Sequence, residues 1–150
     1  MPTINPPSSL PADLRDEIKE AFGIVPSFVH TQQPAQLMLW WNAVRDFQLS
    51  DKTALDGKTK ELIGLGVAAQ IPCTYCTLFH TEAARLNGAT EKELQEAIFM
   101  ASLTRQGSTI LNGAMLDTKV FEKELGQIVG YLKEKGPAHD TTPIYSTGKR

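Results

Sequence analysis

Apolar residues recur every three or four positions along most of this chain, and no stretch shows the period of two that marks a half-buried strand. The pattern predicts six helices. Ala12 to Phe22 carries Leu14, Ile18 and Ala21 at helical spacing, with Gly23 as the stop. An irregular piece follows from Pro26 to Gln33, and Pro34 suits a first helical turn. Ala35 to Leu49 spreads Leu37, Leu39, Trp40, Trp41, Val44 and Phe47 over a broad apolar surface. After a polar connection from Ser50 to Gly57, Lys58 to Gln70 is apolar nearly all round and reads as a buried helix. Ile71-Pro72 breaks it, because the residue before a proline avoids helical dihedrals. Cys73 to Leu86 reads as the fourth helix, ended by Asn87-Gly88. Thr90 and Glu93 form a capping box that opens a fifth helix to about Thr104. Gly107-Ser108 predicts a break. A last helix then covers about Thr109 to Lys135, with Leu111, Met115, Val120, Leu125, Ile128, Val129 and Leu132 as core candidates. The expected organisation is an extended arm over 1–11, where four prolines cluster, a helical domain over 12–135, and a tail over 136–150. No internal repeat is visible.

Composition narrows the function classes. The 150 residues are enough to bury one core without staples. The net charge is -2 and basic residues form no run, which argues against a nucleic-acid surface. The start has neither a basic segment nor an apolar one, and no apolar stretch reaches the roughly 20 residues that span a bilayer. The expectation is a cytoplasmic protein that does not enter membranes. There are two cysteines, and they lie three positions apart. So local a pair cannot tie distant segments together, so it points to reactivity or metal binding.

At roughly 100° per residue, Cys73, Cys76 and His80 share one helix face. Cys76 and His80 are one turn apart, which sets their side chains side by side. The thiolate is the nucleophile, and a free cysteine is mostly protonated at neutral pH. A helix start favours negative charge on its first turn, which serves Cys73. A neighbouring imidazole can take a thiol proton, which serves Cys76. Glu61 lies near the start of the preceding helix. If the two helices pack antiparallel, it comes within reach of His80 and orients the ring. Its bland alternative is a surface acid paired with Lys58 or Lys60.

Glu61, Cys73, Cys76 and His80, read as E-x11-C-x2-C-x3-H, resemble the alkylhydroperoxidase D-like (AhpD-like) branch of the carboxymuconolactone decarboxylase family. Phe22-Gly23-Ile24-Val25-Pro26 and Lys58-Thr59-Lys60-Glu61-Leu62-Ile63 precede the cysteines in the family's usual order. The resemblance covers about Asp13 to Thr104. It implies an all-α, AhpD-like bundle of about six helices that assembles into trimers or hexamers. It also implies thiol peroxidase or disulfide reductase activity in antioxidant defence. By that analogy Cys76 meets the hydroperoxide, Cys73 resolves the product to a disulfide, and His80 and Glu61 relay protons. No bound cofactor is required, because the dithiol itself stores two electrons. The resemblance implies a protein reductant, lipoyl-bearing or thioredoxin-like. Tyr75 stands where well-studied peroxidase members carry a histidine, and this shortens the relay.

Rival readings remain at this level. His80 and Glu61 alone could run acid–base chemistry of the decarboxylase kind. Cys73, Cys76, His80 and Glu61 could hold a metal, although three ligands from one helix would be unusual. A non-catalytic module that docks a partner is the third. Trp40 and Trp41 read as core or subunit-contact residues, the alternative being that they wall the dithiol pocket. His30 and His139 read as structural or solvated, and Arg85 as a solvated charge.

Overall fold

A computed structural model of the chain describes residues 10–135, so the C-terminal tail and all but the last two residues of the N-terminal arm lie outside the described residues. Within that range the architecture is all-α. The helices are α1 (Ala12–Phe22), α2 (Pro34–Ala43), α3 (Gly57–Gln70), α4 (Thr74–Leu86), α5 (Glu91–Gly113) and α6 (Thr118–Lys135), and no strand occurs among the described residues. A 3-10 turn, Ser27–Thr31, precedes α2, and a π-helical turn, Val44–Gln48, continues it. The chain forms two compact units, the first ending at Ser102 and the second beginning at Leu103.

The first unit holds two apolar clusters. In one, Leu14 and Ile18 of α1 pack with Val29, Leu37, Trp41 and Val44. Gly23 ends α1 at φ 74°, a left-handed conformation that glycine adopts without a Cβ penalty. Phe22 meets Trp41 edge-on, with ring centroids 5.6 Å apart. The Trp41 indole donates to Glu17 Oε2 at 2.9 Å, so the buried ring keeps its N–H partnered. In the second cluster, Leu65 of α3, Ala84 of α4 and Leu94 of α5 are buried together.

Cys73 is the N-cap of α4 and Asp56 caps α3, accepting from the Thr59 amide at 2.7 Å. The capping box at α5 forms as expected. Thr90 Oγ1 accepts from the Glu93 amide at 3.2 Å, and Glu93 Oε2 accepts from the Thr90 amide at 2.7 Å. Glu93 also receives Lys58 Nζ at 2.7 Å. The Lys58 ammonium first, and the Thr90 donors after it, lower the Glu93 carboxyl from 4.5 to about 2. A depressed pKa in the folded state contributes stability that is present above 4.5 and is lost as pH falls toward about 2. Glu93→Gln should therefore lower the melting temperature at pH 6 but not at pH 2, and an equal deficit at both values would refute the assignment.

Several expectations are corrected. The break at Gly107-Ser108 does not occur, and α5 runs through it to Gly113. The real interruption lies where Asp117 Oδ1 accepts from the Lys119 and Val120 amides and so caps a new helix. An isolated glycine only weakens a helix, whereas a capping aspartate starts another. The third helix is not buried all round: Leu65 and Ala68 are buried, but Ile63 and Val67 are more than half exposed. Leu39 and Phe47 are exposed as well. None of the described residues from 103 onward is buried, so the core candidates Leu111 to Leu132 form no core among the described residues. Arg85 is not a lone solvated charge, since it binds Glu91 and Glu82 at 2.7 and 2.5 Å.

Candidate functional site

The site is built where α3 and α4 pack. Cys73 ends the turn after α3, and its extended backbone aims the side chain back over the first turn of α4. Its Sγ accepts from the Cys76 amide at 3.3 Å. The Cys76 thiol is a second donor to the same sulfur. These bonds hold the Cys73 thiol below the ordinary cysteine range, the thiol donor contributing most and the amide after it. Cys76 is pushed the other way, because its proton is engaged by Cys73 and because it is partly buried. Of the two sulfurs, Cys73 is therefore the easier to ionise and Cys76 the harder. Both cysteines are free thiols and half-buried.

One turn after Cys76, His80 points toward α3. Its Nδ1 lies 2.6 Å from Glu61 Oε2. Glu61 is only 2% exposed, so this contact is shielded from water, unlike a surface ion pair. A carboxylate is an acceptor, so Nδ1 is the nitrogen that donates to it, and in the neutral ring this leaves Nε2 as an acceptor. Glu61 does not pair with either neighbouring lysine. Lys58 goes to Glu93, while buried Lys60 donates to the carbonyls of Phe47 and Ser50 and to Thr53 Oγ1. The antiparallel packing inferred from the sequence thus brings Glu61 to His80, and the helix face brings Cys73 to Cys76.

Cys76 and His80 line a cavity of about 480 Å³ walled by Phe22, Phe28, Trp40, Val44, Leu78 and Phe79. Gln48 and Tyr75 complete the lining. Trp40 therefore walls the dithiol pocket, whereas Trp41 is core. Tyr75 is largely exposed at the edge. The cavity can admit a small apolar molecule and keep its polar end beside a sulfur and an imidazole. Among the described residues no three His, Cys, Asp or Glu side chains converge as a metal-ligand set.

Two residues of the site escape sequence reasoning. Gln48 Nε2 donates to Glu61 Oε1 at 3.0 Å, yet nothing in the local sequence marks a glutamine at the end of an apolar helix. Gly64 lies three positions after Glu61 on the same helix face. A methyl placed on it would sit 2.5 Å from His80 Nδ1 and Cε1, so the ring rests directly on the glycine. A glycine inside a helix, one turn from an acid of the signature, was the available signal.

Comparison with known proteins places this geometry in context. Residues 35–116 match the model described as the carboxymuconolactone decarboxylase family. A protein of Paracoccus denitrificans described as uncharacterized protein 4 in cox locus is 42% identical over 55 residues, covering 37% of this chain. The match spans 50% of that protein's own length. Among solved structures, the alkylhydroperoxidase AhpD core from Rhodospirillum rubrum superposes with a TM-score of 0.66 at 25% identity, covering 78% of this chain and 93% of the other.

Proposed function

The chain belongs to the carboxymuconolactone decarboxylase family, in its AhpD-like branch, and from that premise we propose that it is a thiol-dependent hydroperoxide reductase and disulfide oxidoreductase. The observation that carries this reading is the placement of Cys76 with His80 in one apolar cavity, next to the hydrogen-bonded sulfur of Cys73. In the reduced state both sulfurs are thiols, and Cys76 is the one that faces the cavity. Moving the Cys76 proton to His80 leaves a thiolate facing the cavity, and the imidazolium returns that proton to the departing alkoxide. That thiolate attacks the terminal oxygen of the hydroperoxide, the O–O bond breaks, and the alkoxide leaves as an alcohol after protonation. Cys76 is then a sulfenic acid. Cys73 attacks its sulfur, hydroxide leaves as water, and a Cys73–Cys76 disulfide remains. Two thiols and one hydroperoxide thus give one disulfide, one alcohol and one water. A protein dithiol, lipoyl-bearing or thioredoxin-like, returns the two electrons by exchange.

Peroxide titration with mass spectrometry of the peptide bearing both cysteines tests the proposal. The expected result is loss of two hydrogens per equivalent of an organic hydroperoxide. A peptide that stays reduced at excess peroxide would overturn it.

Homo-oligomerisation belongs to the same reading. Ile110, Leu111, Phe121, Leu125, Ile128 and Leu132 are all exposed in the second unit, an amount of apolar surface suited to a second copy of the chain. Light scattering should give a multiple of the 16.5 kDa chain mass, and a sharp monomer would refute this part.

A further inference from the structure

The π-helical turn Val44–Gln48 carries Gln48 over the beginning of α3. Turns of this kind add one residue to a helix and are frequent at functional sites, because they re-aim a side chain. Here the re-aimed amide donates to Glu61 Oε1 at 3.0 Å, while Glu61 Oε2 faces His80 Nδ1 at 2.6 Å. The two carboxylate oxygens therefore have separate partners. Rotation of the carboxyl would break both contacts in a place where water hardly reaches.

We infer that Gln48 is a positioning residue of the thiol site, holding the Glu61 carboxylate in the one orientation that keeps the His80 ring aligned toward Cys76. The inference rests on the reading of Cys76, His80 and Glu61 as a working unit. Gln48 is itself fixed from behind. Lys60 Nζ donates to the Phe47 carbonyl at 2.8 Å and to the Ser50 carbonyl at 2.6 Å, which grips the backbone on both sides of Gln48. Lys60 and Glu61 are consecutive in α3, so a single helical turn holds both the π-helical turn and the carboxylate that it serves. The residue type also matters. An amide supplies a donor without charge, so the carboxylate stays negative toward the ring. A lysine or arginine there would draw the carboxylate toward itself, and an apolar side chain would leave Oε1 without a partner in a buried place.

The test uses the full chain with Gln48→Met, which keeps the length and removes the donor, and Gln48→Glu, which keeps the shape and replaces the donor with an acceptor. Two quantities are read: the imidazole ¹⁵N signals of His80, and the rate of Cys76 alkylation by iodoacetamide. In the wild type the His80 signals should show a protonated Nδ1 and an unprotonated Nε2. Both variants should shift those signals toward a tautomer mixture and slow alkylation roughly tenfold, the scale of one lost hydrogen bond to a charged group. Wild-type His80 signals in both variants would overturn the inference, and so would slowed alkylation with unmoved signals. If Gln48→Met does not fold, Gln48→Glu decides alone. A shift in the His80 signals in a protein that consumes no peroxide would support the role of Gln48 while removing the peroxidase reading, so the two can fail separately.

Discussion

Cys76→Ser is expected to abolish hydroperoxide consumption, and Cys73→Ser to stop it after one turnover with Cys76 left as a sulfenic acid. The two outcomes differ because the sulfurs occupy different places. Cys76 lines the aromatic cavity and Cys73 does not. A hydroxyl at position 76 cannot supply the electron pair at neutral pH, so the rate should fall by at least about a thousandfold, to the level set by adventitious thiols. At position 73 the sign is less obvious. Cys73 holds the Cys76 thiol above its ordinary range by accepting its proton. A neutral hydroxyl holds that proton less tightly, so Cys76 should ionise more readily and the first oxidation should not slow. Only the resolving step is lost. Trapping the sulfenic acid with dimedone measures this directly. If Cys76→Ser kept a tenth of the wild-type rate, the cavity thiol would not be the reacting group. A decarboxylase-like reaction run by His80 and Glu61 would survive both substitutions, and survival of such an activity would favour that rival reading.

Gly64→Ala should lower peroxide turnover and Cys76 alkylation about a hundredfold while also destabilising the fold. In an ordinary helix interior this substitution stabilises by about 0.5–1 kcal/mol, because glycine loses more backbone freedom on folding. At this position the added methyl would lie 2.5 Å from two atoms of the His80 ring. Either the ring swings away or α3 and α4 separate, and overpacking of this kind costs about 1–3 kcal/mol. The steric term wins, for a net loss of roughly 1–2 kcal/mol. Displacing the ring also breaks the 2.6 Å contact to Glu61, so activity should fall to the level of His80→Ala. A double-mutant cycle makes the cause explicit. In a Gly64→Ala, His80→Ala protein the methyl has room, so stability should recover with no further loss of rate. Full activity in Gly64→Ala would show that the ring does not depend on that glycine.

Much of this arrangement was legible in the residues. The α1 helix and its glycine stop, the Pro34 start and the Thr90 capping box are local signals, and they formed where the pattern put them. The Glu61–His80 contact was reachable because it needs only helical periodicity and one antiparallel packing. Gln48 was not reachable, since its position depends on a π-helical turn that apolar spacing does not encode. The break before α6 lies later than the Gly107-Ser108 pair predicts, because an isolated glycine only weakens a helix while the Asp117 cap starts a new one. The largest departure from the sequence pattern is in α3 and α6, whose apolar residues are in good part exposed. Their apolar stripes predict a core within one chain, but periodicity reports only that a face avoids water. It does not say whether the covering surface comes from the same chain.

The cap at the start of α4 ties chemistry to backbone order. In the reduced protein the Cys73 sulfur closes the first turn by accepting from the Cys76 amide. Once oxidised, that sulfur is a neutral disulfide atom and a poor acceptor, so the amide loses its counterpart. The first turn should then fray, legible as faster amide exchange at Cys76 in the oxidised form. Spent protein would present a looser, more approachable sulfur bridge to whatever reduces it, and each return of electrons would wind the helix start tight again.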